Sequence, residues 1–505
     1  VFKKYTAYGT YRSGSFGLRV DGALKVQGTA SNPVIFTGDV DDGFGKPVDL
    51  YTDGQVNDTY RSGTWIQYSE TSEDTANIVD HAIFKHASRG VVANSANPTI
   101  RNSHFENIEF GIEMTGVSEP FVENNSFYNL NKTPLLISLV SYPQSIFGNS
   151  MSGSTYKAIG VRTETLVQDV TLPKRDFAGK IGIPYYYTGN YTIGTGAVLT
   201  IAPGVVNKFE NYAGLFVEKG LNVEGGSTPD SMVVFTSIRD DFYSGDTNAD
   251  SNATTSGTWY GITYRGTSLP AESNIDYAII KNVRGGTSYA AVLADNSSPT
   301  ITNSILTENG SGLVVYGSGN PTVNYSDIYN NSDYGVYNRD KTFTIDATNN
   351  WWGNDSGPTH STNPTGTGDE ITDNVNYAPF VGGGASIPIL GDVSLNGSVQ
   401  SFDAAKVLRN VAMLEAFTPT QDIVADVSGN GSVSAMDASY ILQYVVGLIE
   451  AFPEELNSKA RDEMNTYPGL EDIALKVGAV DEVSDVEFKV PLRFDNVSEL
   501  FAFEL

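Results

Sequence analysis

Pro98-Thr99-Ile100-Arg101-Asn102-Ser103 is followed 22 residues later by Pro120-Phe121-Val122-Glu123-Asn124-Asn125, and Pro299-Thr300-Ile301-Thr302-Asn303-Ser304 is followed 22 residues later by Pro321-Thr322-Val323-Asn324-Tyr325-Ser326. A period of this length is the size of one coil of three short strands and three turns. Alternation such as Thr300-Ile301-Thr302 turns one side chain inward and its neighbours outward. A single coil cannot bury its inner face, so coils of this kind must stack. Asn102, Asn124, Asn303 and Asn324 are assigned to turns, where Asn tolerates a left-handed backbone and can hydrogen-bond along the stack. A larger repeat is superimposed on the small one. Leu18-Arg19-Val20-Asp21 with Val34-Ile35-Phe36-Thr37 recurs as Leu215-Phe216-Val217-Glu218 with Val233-Val234-Phe235-Thr236. Each copy then reaches an acidic pair, Asp41-Asp42 or Asp240-Asp241, and passes through a polar insertion to Ser62-Gly63-Thr64-Trp65 or Ser256-Gly257-Thr258-Trp259. Two similar halves, about 1–180 and 181–380, therefore stand in series.

A chain of 505 residues is too long for one ordinary core, and a solenoid that grows by stacking accommodates it. The absence of cysteine excludes disulfides and thiolate metal sites. A net charge of −28 disfavours nucleic acid as a partner and suits metal cations. No signal peptide and no apolar run of spanning length is visible, so no transmembrane segment is expected. The chain opens at Val1 and ends on Phe501-Ala502-Phe503-Glu504-Leu505, a strand stopping in mid-pattern, and the expectation is a trimmed piece of a longer polypeptide.

Asn350-Trp351-Trp352-Gly353-Asn354-Asp355-Ser356-Gly357-Pro358-Thr359, running on to Asn376-Tyr377-Ala378-Pro379-Phe380, looks like the closing element of right-handed β-helix repeat proteins. Over residues 1–380 the chain resembles the bacterial and archaeal members of the pectate-lyase-like class. The resemblance implies a mainly β fold, a right-handed parallel β-helix of a dozen coils and roughly 60 Å. It implies no single activity, because the fold hosts lyases, hydrolases, epimerases, adhesins and inert spacers.

After a linker at 381–390, two loops stand 34 residues apart within 391–452. The first offers Asp392, Ser394, Asn396, the backbone of Ser398 and Asp403; the second offers Asp426, Ser428, Asn430, the backbone of Ser432 and Asp437. Oxygen donors at positions 1, 3, 5, 7 and 12, with Gly397 or Gly431 at position 6, are how a loop collects the ligands of Ca²⁺. Helices are predicted over Ala404 to Met413 and Ala438 to Leu448. The tandem resembles a dockerin, whose duplicated loop-helix units bind calcium and present a face to a cohesin partner. Ser at position 3 and Asn at position 5 depart from the usual pattern and leave two carboxylates per loop, which suggests weaker calcium binding. The resemblance places partner recognition at Ser401 and Phe402 and at Ala435 and Met436, and the apolar residues there imply a hydrophobic recognition face.

Asp246-Thr247-Asn248-Ala249-Asp250, after Asp240-Asp241, reads as an isolated calcium loop with Asp246, Asn248 and Asp250 as ligands, or else as a solvated acidic loop. The first-half insertion carries Asp39, Asp41, Asp42, Asp49 and Asp53 without that motif. Catalysis has little support. His81, His86, His104 and His360 read as surface or turn residues. Adjacent carboxylates on a strand point to opposite faces, so Asp41-Asp42 and Asp240-Asp241 do not make the facing pair a glycosidase needs. Trp65 and Trp259 are assigned to packing under the insertions.

A linker at 453–470 leads to Ile473 to Val477 and Val486 to Leu492, which alternate as strands and resemble the opening of a cohesin-like β-sandwich. The sequence therefore points to an extracellular or cell-surface spacer with calcium-dependent docking to a cohesin-like domain in cis or in trans, and with head-to-tail self-assembly. The alternatives are a polysaccharide lyase or glycoside hydrolase tethered by its dockerin, and a carbohydrate-binding adhesin.

Overall fold

The computed structural model describes residues 2–4, 17–38, 41, 43–44, 63–250, 257–285, 289–381, 390–394, 399–415, 417, 421, 424–429, 432–449, 451–453, 475–477, 481–484, 487–489 and 492–494. Between Leu18 and Asn376 the chain winds as a parallel β-solenoid of about 11 turns. One face is an unbroken sheet of twelve parallel strands, from Leu18–Val20 to Asp327–Tyr329. At about 4.8 Å per step that face is on the order of 50 Å long.

The other two faces are each broken in the middle. In the first half the chain passes from the twelve-stranded sheet to a four-stranded and then a six-stranded sheet; in the second half it passes to a seven-stranded and then an eight-stranded sheet. The winding sense is constant, so the seven-stranded sheet continues the four-stranded side and the eight-stranded sheet continues the six-stranded side. This circuit sets the two sequence repeats out of phase. Val34–Gly38 lies in the six-stranded sheet, but its counterpart Val233–Ser237 lies in the twelve-stranded one. Leu18–Val20 is in the twelve-stranded sheet and Leu215–Val217 in the seven-stranded one. Thr99–Arg101 is in the four-stranded sheet and Thr300–Thr302 in the eight-stranded one. Every element has advanced by one face, because the repeat spans seven turns and one face more.

Inward side chains stack turn on turn. Phe36, Phe84, Phe105 and Phe127 form a column with ring centroids 4.9, 5.0 and 5.0 Å apart. The corresponding second-half column is Phe235, Ile280, Leu306 and Ile328, paired in register and buried. Each such side chain removed from water contributes about 1.5–3 kcal/mol, which is why one coil cannot stand alone and a stack can.

Asn102, Asn124 and Asn303 take left-handed turns, at φ of 50°, 53° and 48°. Asn324 does not. It ends the strand Thr322–Asn324, and Tyr325 takes the turn at φ 54°, because the turn falls four places after the proline and Asn324 is only three after it. Asn102 Nδ2 donates along the stack to Asp80 Oδ1 at 2.9 Å, Asn303 Nδ2 to Asp276 Oδ1 at 2.8 Å and Asn324 Nδ2 to Asp346 Oδ1 at 3.2 Å, and the residue after the turn adds a second ladder. Ser103 N–H donates to Asn125 Oδ1 and Asn125 N–H to Asn149 Oδ1, both at 3.0 Å. In the second half Ser304 N–H donates to Ser326 Oγ at 3.1 Å and Ser326 N–H to Asn350 Oδ1 at 2.9 Å.

Trp65 and Trp259 are buried, and each indole N–H donates at 2.9 Å to the carbonyl of a repeat-equivalent lysine, Lys85 or Lys281. His81 and His86 sit at left-handed turns, and His86 is a buried turn residue rather than a surface one. Of the cohesin-like tail, four strands are described. Leu475–Val477 pairs antiparallel with Leu492–Phe494, and Asp481–Ser484 with Glu487–Lys489; among the described residues these are two separate two-stranded sheets and no sandwich.

Candidate metal centres and docking face

The C-terminal region folds around two helices, Ser401–Val411 and Ala435–Val445. Both begin three residues earlier than the apolar periodicity predicts. The reason is the acid at loop position 12, which lies inside the first helical turn as its N3 residue. Asp403 Oδ1 accepts from Ser394 N–H at 2.6 Å and its Oδ2 from Gln400 N–H at 2.7 Å. Asp437 repeats this with Ser428 N–H at 3.0 Å and Ser434 N–H at 2.9 Å. One carboxylate thus closes the loop and caps the helix. At the other end, Ser394 Oγ donates to Asp392 Oδ1 and Ser428 Oγ to Asp426 Oδ1, both at 3.1 Å. Asp392, Asp403 and Asp437 are buried.

The donor set tests the metal. The described loop positions offer carboxylate and hydroxyl oxygen with neither His nor Cys, which fits a hard ion such as Ca²⁺. Asn396, Ser398 and Asn430 lie outside the described residues; Ser432 is described and exposed.

Repeat-related side chains build a shared core: Val393 with Val427, Ala404 with Ala438, Val407 with Ile441. The opposite sides of the helices are apolar and exposed. Phe402 is 57% exposed and Met436 46%, and Ser401 and Ala435 are also exposed. Sequence reasoning missed the continuation of this face. Leu408, Val411 and Leu414 on the first unit match Leu442, Val445 and Leu448 on the second, each pair 34 residues apart, and all six are exposed. The signal was available as apolar positions that keep the 34-residue register but fall outside the buried stripe.

On the solenoid, the insertion after Val233–Ser237 folds over the outer side of the twelve-stranded sheet. The buried ammonium of Lys208 donates to Asp240 O at 2.8 Å, Gly245 O at 3.0 Å and Thr247 Oγ1 at 2.6 Å. Lys157 N–H donates to Thr247 O at 2.9 Å. Pinned in this way, the loop brings carboxylate oxygens of Asp241, Asp246 and Asp250 within 4.8 Å of one another. Asp241 Oδ1 and Asp246 Oδ1 are enclosed without a hydrogen-bond donor. Burial, with Asp246 and Asp250 alongside, raises the Asp241 carboxyl to about 6. Two buried anionic oxygens that lack donors fit a cation between them. Asn248 is committed to Asp250, donating to its Oδ2 at 2.7 Å. Asp241 joins the group because its neighbour Asp240 turns the other way, into the fold.

No curated protein and no solved structure matches the chain. Two family models match, the right handed beta helix region over residues 243–393 and the dockerin type I domain over residues 390–446, and the protein is a parallel β-helix solenoid followed by a dockerin region.

Proposed function

We propose that this is an extracellular docking protein, in which the solenoid is a rigid spacer and the dockerin region grips a cohesin-like domain when its loops hold calcium. The observation that carries the reading is the repetition of one geometry at 34 residues: the same carboxylate-to-loop hydrogen bonds, the same core pairs and the same exposed apolar row in both units. Asp392, Ser394, Asn396, Ser398 and Asp403 ligate the first ion, and Asp426, Ser428, Asn430, Ser432 and Asp437 the second. Phe402 and Met436, with Ser401 and Ala435, lead the face that meets the partner. Asp241, Asp246 and Asp250 hold a third ion that fastens the insertion to the rod. A tethered lyase is the weaker reading. Lys208 is the cation beside the acid triad, but its three protons are committed to the fold, so it holds the loop and is not free to act as a base.

Calorimetric titration of the chelator-treated full chain with Ca²⁺ tests this, with binding to immobilised cohesin modules measured in parallel. The expected result is three bound ions, two after Asp241→Asn, and cohesin capture only with calcium. Heat-free titration, or capture unaffected by chelator, overturns it.

A further inference from the structure

We infer that the rod carries a hinge in its middle, held open by the hairpin around Phe177 and closed when Phe147 meets Val167. The hinge lies between the turn containing Leu135–Ile137 and Ser150–Ser152 and the turn containing Ile159–Val161, Thr165–Leu166 and Val170–Leu172. It concerns the solenoid alone and does not rest on the docking reading; it divides the spacer into two stiff arms.

Three observations fall on this one level. First, only the twelve-stranded sheet crosses it, through Leu135 with Ile159, Leu136 with Gly160 and Ile137 with Val161. On the other two faces the four- and six-stranded sheets stop and the seven- and eight-stranded sheets start, with no strand pairing between them among the described residues. Hydrogen-bond ladders on all three faces make stacked turns stiff, so one intact face beside two open ones bends. Second, the turn residues change. Asn102 and Asn124 at one corner are followed by Gly148 at φ 68°, and Asn107 and Asn129 at the next corner by Gly153 at φ 63°. Glycine takes this conformation freely but brings no side chain to bond the next turn. Third, the ring column ends here. Phe36, Phe84, Phe105 and Phe127 stack within 18° of parallel, whereas buried Phe177 meets Phe127 at 5.8 Å and 52°.

Phe177 belongs to a tight hairpin that exchanges two 3.0 Å backbone hydrogen bonds with Lys180. The hairpin is held across the level by Arg175, 3.5 Å over the Tyr142 ring, and by Tyr142 Oη, which donates to Asp176 O at 3.3 Å. It acts as a wedge. Phe147 and Val167 stand on either side of the level, at the corner between the two open faces and so opposite the intact sheet. At 76% and 74% they are the most exposed large apolar side chains of the solenoid among the described residues. Withdrawing the wedge lets the arms swing about the intact sheet and removes both side chains from water.

Distances between spin labels test the hinge, and the absence of cysteine makes introduced pairs unique. Ser31, Thr195 and Asn320 are exposed and lie on that same corner, Ser31 in the first arm and the others in the second. Ser31→Cys with Asn320→Cys spans the hinge, and Thr195→Cys with Asn320→Cys is the control within one arm. The spanning pair is expected to give a second, shorter distance and the control a single one. Tyr142→Ala, which frees the wedge, should enlarge the shorter population. Adding Phe147→Ser with Val167→Ser should remove it, with the thermal midpoint unchanged because both side chains are exposed. One narrow distance for the spanning pair, in the parent and in Tyr142→Ala alike, overturns the inference; so does a shorter population that survives the two serines.

Discussion

Asp41 and Asp240 occupy the same place in the two halves, and each carboxylate accepts the hydroxyl proton of a threonine four residues earlier, Thr37 or Thr236. Each also receives the backbone N–H two residues on, Gly43 at 2.9 Å and Phe242 at 3.1 Å. Asp240 further accepts from Asn282 Nδ2 at 3.2 Å. The buried acid is thus the anchor from which each insertion leaves the rod. Asp240→Ala leaves the Thr236 hydroxyl without its acceptor and takes one of two acceptors from the Asn282 amide, which also donates to Thr236 Oγ1, and should destabilise the chain by about 2–3 kcal/mol in denaturant unfolding. An unchanged unfolding midpoint would show that the insertion holds itself in place.

Calcium removal should act on helix content before it acts on the rod. Asp403 and Asp437 each serve a loop and a helix cap, so emptying the loops loosens both helices while the solenoid's inner columns are untouched. EDTA is expected to reduce the helical far-ultraviolet circular dichroism signal and spare the β signal. Asp403→Ala should cost about 1 kcal/mol from the lost cap alone, even without metal.

Charge placed on the exposed apolar row should abolish docking without disturbing the fold. Phe402→Lys with Met436→Lys is expected to weaken cohesin capture by on the order of 2 kcal/mol or more, the usual effect of losing central apolar anchors. Calcium affinity should stay the same, because neither side chain belongs to the shared core. Wild-type capture by the double variant would place the partner face elsewhere.

The far end of the rod should titrate. Asp369 Oδ2 accepts from Asn331 N–H at 3.1 Å and from its Nδ2 at 2.8 Å, closing a buried amide column that begins at Asn309. Burial raises its carboxyl from 3.8 to about 6, against the pull of the Asn331 hydrogen bonds. The fold therefore prefers the protonated acid. That contribution is present below about pH 4 and is lost as pH rises through about 6. Asp369→Asn keeps the shape without the charge and should raise stability at pH 7 by about 1–3 kcal/mol, with a flatter pH profile between 4 and 7. Identical profiles for both proteins would contradict this.

Much of the architecture was legible because its physics is local and periodic. A proline, an alternating triplet and a left-handed turn residue repeat at coil length, and each oxygen-rich loop closes on its own position-12 acid within a dozen consecutive residues. At one turn the reading slipped by a single place, Tyr325 standing where Asn324 had been expected, and the acid cluster of Asp246 and Asp250 also takes in Asp241. Sequence spacing does not tell which of two adjacent carboxylates faces the fold. That is decided by Thr236 and Asn282, the latter more than forty residues downstream.

The sequence by itself determined that coils stack, that two halves repeat and that oxygen-rich loops precede two helices, since each follows from short-range pattern and the need to bury an inner face. Only the tertiary structure decided how the halves face one another. The link between them adds whole turns plus one face, a remainder invisible in residue counts because turns differ in length. For that reason the second half is advanced by one face, and its insertion leaves the rod from a different corner than the first.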